Sequence, residues 1–326
     1  MTSTKIRDPR IYGEIRLYAG TASPELAEEI SDYLDVPLSD RDLVRFPNEN
    51  IFCRLQASAR GQDVYVIQST TSPVNDNLME LLIMLQTLRL DSVGRLTAVV
   101  PYLCYSRSDK KDQPRVSIAA RLVADMVEVA GADRYMTLDL HAGQLQGFFS
   151  IPGDVLTAFH ILSDHFQQRS EHMHNPVVVT ADLGYAKKGR NFAAKLGLPI
   201  AFIEKRRQQN DARAEAVGVI GDVHDRDVII VDDEVDTAGS VVEAYHIVKG
   251  QGARDVYLSF VHAVLSDPAI ERLQKTDFKA IVTTNTVHIP MAKKLPNMTV
   301  LSIAPLLAEV ILRAHEGRSV GEMFNE

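Results

Sequence analysis

Short runs of branched apolar residues recur along this chain, separated by longer amphipathic stretches. The runs lie at Asp63–Thr70, Arg95–Leu103, Asp133–Leu140, Pro176–Leu183, Leu198–Lys205, Asp227–Asp233, Asp255–Val264, Lys279–Thr286 and Met298–Ala304. Their apolar positions are consecutive rather than alternating, as in strands covered on both faces. Helical periodicity falls between them, at Asn77–Leu90, Ile118–Ala130, Asp182–Lys195 and Ser240–Lys249. This rhythm predicts an α/β fold of mostly parallel sheets flanked by helices.

The rhythm occurs twice. DVYVIQSTTSPVNDNLMELL opens a strand, a loop and a helix at Asp63, and DVIIVDDEVDTAGSVVEAYHIV does the same at Asp227. Two similar halves follow, with a boundary in IPGDVLT (Ile151–Thr157), where Pro and Gly interrupt the pattern. The expected division is 1–157, joined by a C-terminal segment from about 310 to 326, and 158–309. The helix at Asn77–Leu90 is apolar almost all round, which fits either a buried core helix or a subunit contact.

Composition narrows the class. The chain has 326 residues, 45% hydrophobic and 24% charged, which supports a sizeable core and argues against disorder. A net charge of −8 disfavours binding to nucleic-acid phosphates. The two cysteines, Cys53 and Cys104, sit in apolar runs and read as buried reduced thiols. No CxxC pattern suggests zinc. Neither an apolar leader nor a run of about 18 apolar residues occurs, so a cytoplasmic protein with no membrane span is expected.

The candidate chemistry centres on VIIVDDEVDTAGSVVEA, Val228–Ala244. Ligands of parallel α/β sheets bind at the carboxyl ends of the strands, where Asp232 and Asp233 fall. The stretch Asp236, Thr237, Ala238, Gly239 and Ser240 then opens a helix. Helix N-termini present unpaired N–H groups suited to a phosphate, Gly239 allows close backbone approach, and Thr237 and Ser240 add hydroxyl donors. Carboxylates repel a phosphate, so the acidic pair is assigned to the two hydroxyls of a ribose. The plainer alternative is a helix cap supplied by Asp236 or Thr237.

The chain resembles the class I ribose-phosphate diphosphokinases (phosphoribosyl pyrophosphate synthetases). The likeness runs in order through RFPNENIFCRLQASARGQDVYVIQST, PVNDNLMELLIMLQTLR, VVPYLCYSRSDKKDQPRVSIAARLVADM, AGADRYMTLDLHAGQLQGFF, IEKRRQQN, VDDEVDTAGS and APLLAEVILRAHEGRSVGEMF. The acidic loop alone would indicate only the wider phosphoribosyltransferase superfamily. The resemblance implies two phosphoribosyltransferase-like domains, the second carrying the ribose 5-phosphate loop. It implies transfer of the diphosphate of ATP to the anomeric hydroxyl of ribose 5-phosphate, releasing AMP. The product would feed nucleotide, NAD, histidine and tryptophan biosynthesis.

Roles follow from the same resemblance. Lys205 and Arg207 match a basic pair on a mobile catalytic loop, and Arg207 also serves the ribose phosphate. Arg107, Ser108 and Asp109 match an ATP-binding segment. Phe46, Asn48 and Asn50 match an adenine segment contributed by a neighbouring subunit, with core packing as the alternative for Phe46. His141 and Asp182 match ligands of the Mg2+ that accompanies ATP, while Asp139 is left out of the ligand set. Inorganic phosphate is the implied activator and a homohexamer the implied assembly. The commonest family patterns read FSDGE, RQD and DAGG or DVGG; here Asn50, Ser108, Leu183 and Tyr185 depart from them, and Ser240 replaces a threonine. Two other functions compete: a phosphoribosyltransferase, which the acidic loop alone permits, and a non-catalytic regulatory paralogue.

Overall fold

A computed structural model describes residues 12–181, 184–207 and 214–324, with backbone alone at 205–207, 214–217 and 324. The chain divides into two compact units. The first ends at Leu156 and resumes at Ala304, and the second is Thr157–Ile303.

The first unit is built on a parallel sheet of β1 (Ile15–Ala19), β4 (Asp63–Ile67), β5 (Arg95–Val100), β6 (Arg134–Leu138) and β7 (Gly153–Leu156), in that order. A separate hairpin joins β2 (Arg41–Arg45) to β3 (Ile51–Leu55). Helix α1 is Pro24–Leu34, α2 is Val74–Leu90 and α3 is Ala119–Val129. Strand β4 is buried at every position, which explains its unbroken apolar run.

Helix α2 starts at Val74, ahead of the Asn77 that periodicity suggests. Its first turn, Val74, Asn75 and Asp76, carries too little apolar pattern to register. The inner face, Leu78, Leu81, Met84, Leu85 and Leu88, belongs to the core. Glu80 is buried beside them without penalty, because Thr21 N–H (2.6 Å), Thr21 Oγ1 (2.9 Å) and Gln68 Nε2 (2.9 Å) all donate to it. The outer face is partly open, and Leu82 and Ile83 line a groove with Leu122, Met126 and Val129 of α3.

The stretch expected to be only a boundary contains β7. Gly153 stands there because the Tyr135 ring, stacked on Phe149 at 3.8 Å, fills the place a Cβ would take. Strands β1, β2, β3 and β7 all escaped the reading of apolar runs, being short or mixed in polarity.

The second unit has a seven-stranded sheet, ordered β10, β9, β8, β11, β12, β13, β14. These are β8 (Val177–Thr180), β9 (Ile200–Arg207), β10 (Ala214–Ile220), β11 (Val228–Val235), β12 (Val256–Ala263), β13 (Ala280–Thr284) and β14 (Met298–Leu301). All neighbours are parallel except β10, which runs antiparallel to β9. Helices α4 (Phe159–Ser170), α5 (Ala186–Leu196), α6 (Gly239–Gly250) and α7 (Ala269–Gln274) complete it. Val177, Val179, Val228, Ile230, Val256, Leu258 and Phe260 pack with Val241, Ala244 and Val248 of α6 in one core. Helix α5 begins at Ala186, later than the periodicity from Asp182 suggests, and stops at Gly197, whose φ of 66° suits the left-handed cap.

Helix α8 (Ala304–Glu316) returns to the first unit. Leu307, Ala308, Val310 and Ile311 are buried. A polar cluster fastens its far end. Asp63, fully buried, binds Arg95 through both oxygens (2.7 and 2.6 Å) and meets His315 Nδ1 at 2.8 Å. Arg95 also donates to the Ala314 carbonyl at 3.0 Å.

Candidate active site

Parallel strands bring their carboxyl ends to one edge. In the second unit that edge carries the carboxyl ends of β8, β9 and β11. Strand β11 runs through the acidic positions to Val235. Asp233 is buried and Asp232 half-buried, and an Asp232 carboxylate oxygen accepts the Asp233 N–H at 2.9 Å. This bond turns one carboxylate back along the strand end.

The loop then passes into α6 with Ala238 as the residue before the helix, at φ 60° and ψ 9°. Ala238 makes no side-chain cap, and neither Asp236 nor Thr237 holds the capping position. The capping alternative raised by the sequence therefore does not apply. The first turn of a helix carries backbone N–H groups without intrahelical partners, the groups an anion can use. Gly239 has room for a Cβ: a built one would come no nearer than 3.5 Å to Arg272 and 3.9 Å to Thr237.

Lys205 and Arg207 require a correction. The apolar run ends at Lys205 and the resemblance implies a loop for the pair, but β9 continues through Arg207, with Lys205 and Arg207 opposite Ala216 and Ala214 of β10. The antiparallel partner extends the strand past its apolar core, and the run of cations concealed that continuation. Both positions still sit toward the carboxyl end of β9, two strands from β11. Asp182 and Leu183 lie outside the described residues.

In the first unit, Arg107, Ser108 and Asp109 follow β5, and His141 follows the adjacent β6. Asp109 is buried and accepts a short hydrogen bond from Gln144 Nε2, which ties the two loops together. Arg107 and His141 are exposed. Ser108 has local work: its Oγ accepts the Ala119 N–H and its carbonyl the Ala120 N–H, both at 3.2 Å, at the start of α3. Asp139 lies beyond the end of β6 at φ 38°, so strand alternation does not govern its direction.

Phe46, Asn48 and Asn50 occupy the turn of the β2–β3 hairpin. Phe46 is 45% exposed, which removes core packing as its explanation. Its ring lies 6.1 Å from that of Phe52. Backbone bonds from Phe46 N–H to the Asn50 carbonyl and from Glu49 N–H to the Phe46 carbonyl, both 2.8 Å, close the turn. Asn48 Oδ1 accepts the Asn50 N–H at 3.2 Å, and Arg45 bonds Asp76 of α2 at 2.7 Å.

Among the described residues, no group of three or more His, Cys, Asp or Glu is arranged to hold a metal ion. Mg2+ needs less, since it commonly takes one or two protein ligands and completes its shell with waters and phosphate oxygens. His141 with a single carboxylate is compatible with that donor set. No helix among the described residues is long and apolar enough to cross a membrane. Sequence reasoning missed Gln144 and Arg272. Gln144 stood inside a quoted motif without any positional signal, and Arg272 lies on an element far from the loop in sequence.

Comparison with known proteins covers nearly the whole chain. Residues 15–131 match the model for the N-terminal domain of ribose phosphate pyrophosphokinase, and 213–325 match the phosphoribosyl synthetase-associated domain. A ribose-phosphate pyrophosphokinase of Campylobacter jejuni is 43% identical, covering 95% of this chain and 98% of its own length. One from Caldanaerobacter subterraneus is 44% identical, covering 97% and 99%. The crystal structure of phosphoribosylpyrophosphate synthetase from Mycobacterium smegmatis superposes with a TM-score of 0.88 at 40% identity, covering 93% of this chain and 99% of that one.

Proposed function

The chain belongs to the ribose phosphate pyrophosphokinase family, and we propose that it transfers the diphosphate of ATP to the anomeric hydroxyl of ribose 5-phosphate, releasing AMP. The observation that carries the site assignment is the start of α6 directly behind an acidic strand end, with Ala238, which has no capping side chain, as the residue before it. Backbone N–H groups of 236–240 and the hydroxyls of Thr237 and Ser240 hold the 5-phosphate. Asp232 and Asp233 accept from the ribose hydroxyls, a role for which carboxylates suit and phosphate binding does not.

Lys205 and Arg207 supply positive charge at the same edge, and Arg207 also serves the ribose phosphate. Transfer of a phosphorus group depends chiefly on position and on neutralising developing charge, so fixed cations are the fitting catalysts. In the first unit, Arg107, Ser108 and Asp109 serve ATP. Phe46, Asn48 and Asn50 of a neighbouring copy receive adenine, which suits an exposed ring on a hairpin turn. His141 and Asp182 hold the Mg2+ that accompanies ATP. That ion, when bound, neutralises phosphate charge and fixes phosphate geometry.

Each unit is read as a phosphoribosyltransferase-like domain, and the assembly as a cytoplasmic homohexamer activated by inorganic phosphate. Its product would supply nucleotide, NAD, histidine and tryptophan synthesis. The test is direct. Purified protein with ATP, Mg2+, ribose 5-phosphate and phosphate should release AMP together with 5-phosphoribosyl 1-diphosphate. Absence of AMP release refutes the reading. Glycosyl transfer to a base without diphosphate transfer would instead identify a phosphoribosyltransferase.

A further inference from the structure

We infer that Arg272, which lies outside every motif named above, is a positioning residue for the sugar-phosphate loop. This rests on reading 236–240 as the ribose 5-phosphate cradle. Arg272 projects from α7, whose Ala269 and Leu273 are buried in the core of the second unit. Its Nη1 donates to the carbonyl of Thr237 at 2.9 Å. The same nitrogen lies 3.5 Å from where a Cβ on Gly239 would stand. The guanidinium is thus laid along the outside of the loop.

The consequence follows from peptide geometry. A trans peptide is planar, and its C=O and N–H point in opposite directions. Pinning the Thr237 carbonyl toward Arg272 therefore aims the Ala238 N–H away from it. Ala238 holds a left-handed backbone, φ 60°, which is unfavourable for a residue with a Cβ and persists only where its surroundings impose it. Arg272 is one such constraint. A cationic donor also polarises the peptide it binds and strengthens the opposite N–H as a donor.

Glu271, the adjacent carboxylate, is engaged by Lys275 at 2.5 Å. Arg272 therefore adds a positive charge beside a loop that must accept a phosphate dianion, while its hydrogen bond fixes the direction of one N–H.

Arg272→Ala tests the inference. Ribose 5-phosphate binding is measured by calorimetry for wild type and variant, and steady-state constants for both substrates follow. The KM and Kd for ribose 5-phosphate should rise about tenfold, the size expected for one lost hydrogen bond from a charged donor. The KM for ATP and kcat should stay within about twofold. Equal ribose 5-phosphate affinity in variant and wild type overturns the inference and leaves the loop's assignment standing. Equal losses for both substrates also overturn it, since they mark a general structural effect. If wild type itself binds no ribose 5-phosphate, the reading of the loop falls, and the role of Arg272 falls with it.

Discussion

Replacing Asp63 by alanine should release the C-terminal helix without touching the loop 236–240. Asp63 has no exposed surface, and the Arg95 side chain that it binds through both oxygens is only 12% exposed. Tyr65 Oη donates to the same carboxylate at 2.9 Å, and His315 Nδ1 lies 2.8 Å from it. Removing the carboxylate leaves a buried guanidinium without its counter-charge. Breaking a buried pair in this way costs about 3–5 kcal/mol, far above the ~1 kcal/mol of an exposed pair. Replacing both partners, as in Asp63→Leu with Arg95→Met, should recover much of that loss, because no charge is left stranded. A single unfolding curve for a chain of two units is not a two-state quantity. Amide hydrogen exchange across Ala304–Glu316 is therefore the better assay. Protection there should fall by the full amount in Asp63→Ala, while amides of β11 and α6 in the second unit keep theirs. A loss below about 1 kcal/mol in α8, or a double variant as poor as the single one, would refute the reasoning.

Three further outcomes are expected. Lys205→Ala should lower kcat by about 10²–10³, the scale of one lost electrostatic contact to a transition state, with calorimetric binding of ribose 5-phosphate retained; unchanged turnover removes Lys205 from its role. Phe46→Ala should raise the KM for ATP about tenfold, as expected for a lost ring–base stack, while thermal stability changes by less than about 0.5 kcal/mol because the ring is exposed. Burial pushes the Cys104 thiol up to about 11 from an ordinary 9.0, against a hydrogen bond with Thr70 that lowers it. The folded state thus favours the protonated thiol, so its stabilising contribution is full below pH 9 and is lost as pH rises toward 11. Mass spectrometry after iodoacetamide at pH 8 should find Cys104 unlabelled in the native protein and labelled in urea; native labelling would contradict its burial.

How much of this was legible in the sequence depended on whether packing or partnership determined the position. The runs at β4, β5, β8, β11, β12 and β13 were legible because strands covered on both faces need apolar residues throughout. Hairpin strands β2 and β3 were not, since exposed positions such as Val44, Arg45, Phe52 and Arg54 break any simple pattern. The continuation of β9 from Lys205 to Arg207 was missed for a related reason. Three adjacent cations carry no strand signal, and only the pairing with β10 makes that stretch extended. The loop 236–240 was legible as a candidate because its elements are local: strand end, small residues and helix start are consecutive. Gln144 and Arg272 act across folded distance, and nothing in their immediate neighbours announces it.

Of two departures from the family's usual patterns, Ser108 acquires a structural account and Asn50 does not. Ser108 stands where glutamine is usual, and its hydroxyl receives the first N–H of α3 from a residue eleven positions later. A helix N-terminus needs such acceptors, and Ile118, the residue before α3, offers none from its side chain. Ser108 is thereby committed to the helix that follows, and Asp109, held by Gln144, is set beside it. Asn50 stands where glutamate is usual, and its N–H and carbonyl both close the hairpin turn, the former on Asn48 Oδ1. That turn carries Glu49 in a left-handed conformation, φ 68°, so Asn48 works as a brace as well as a presented side chain. The Ser108 departure therefore alters a group that shapes the start of α3, whereas the bonds of Asn50 are main-chain ones that any residue there would make. Divergence in nucleotide preference is accordingly expected at Asn50 and Ser108.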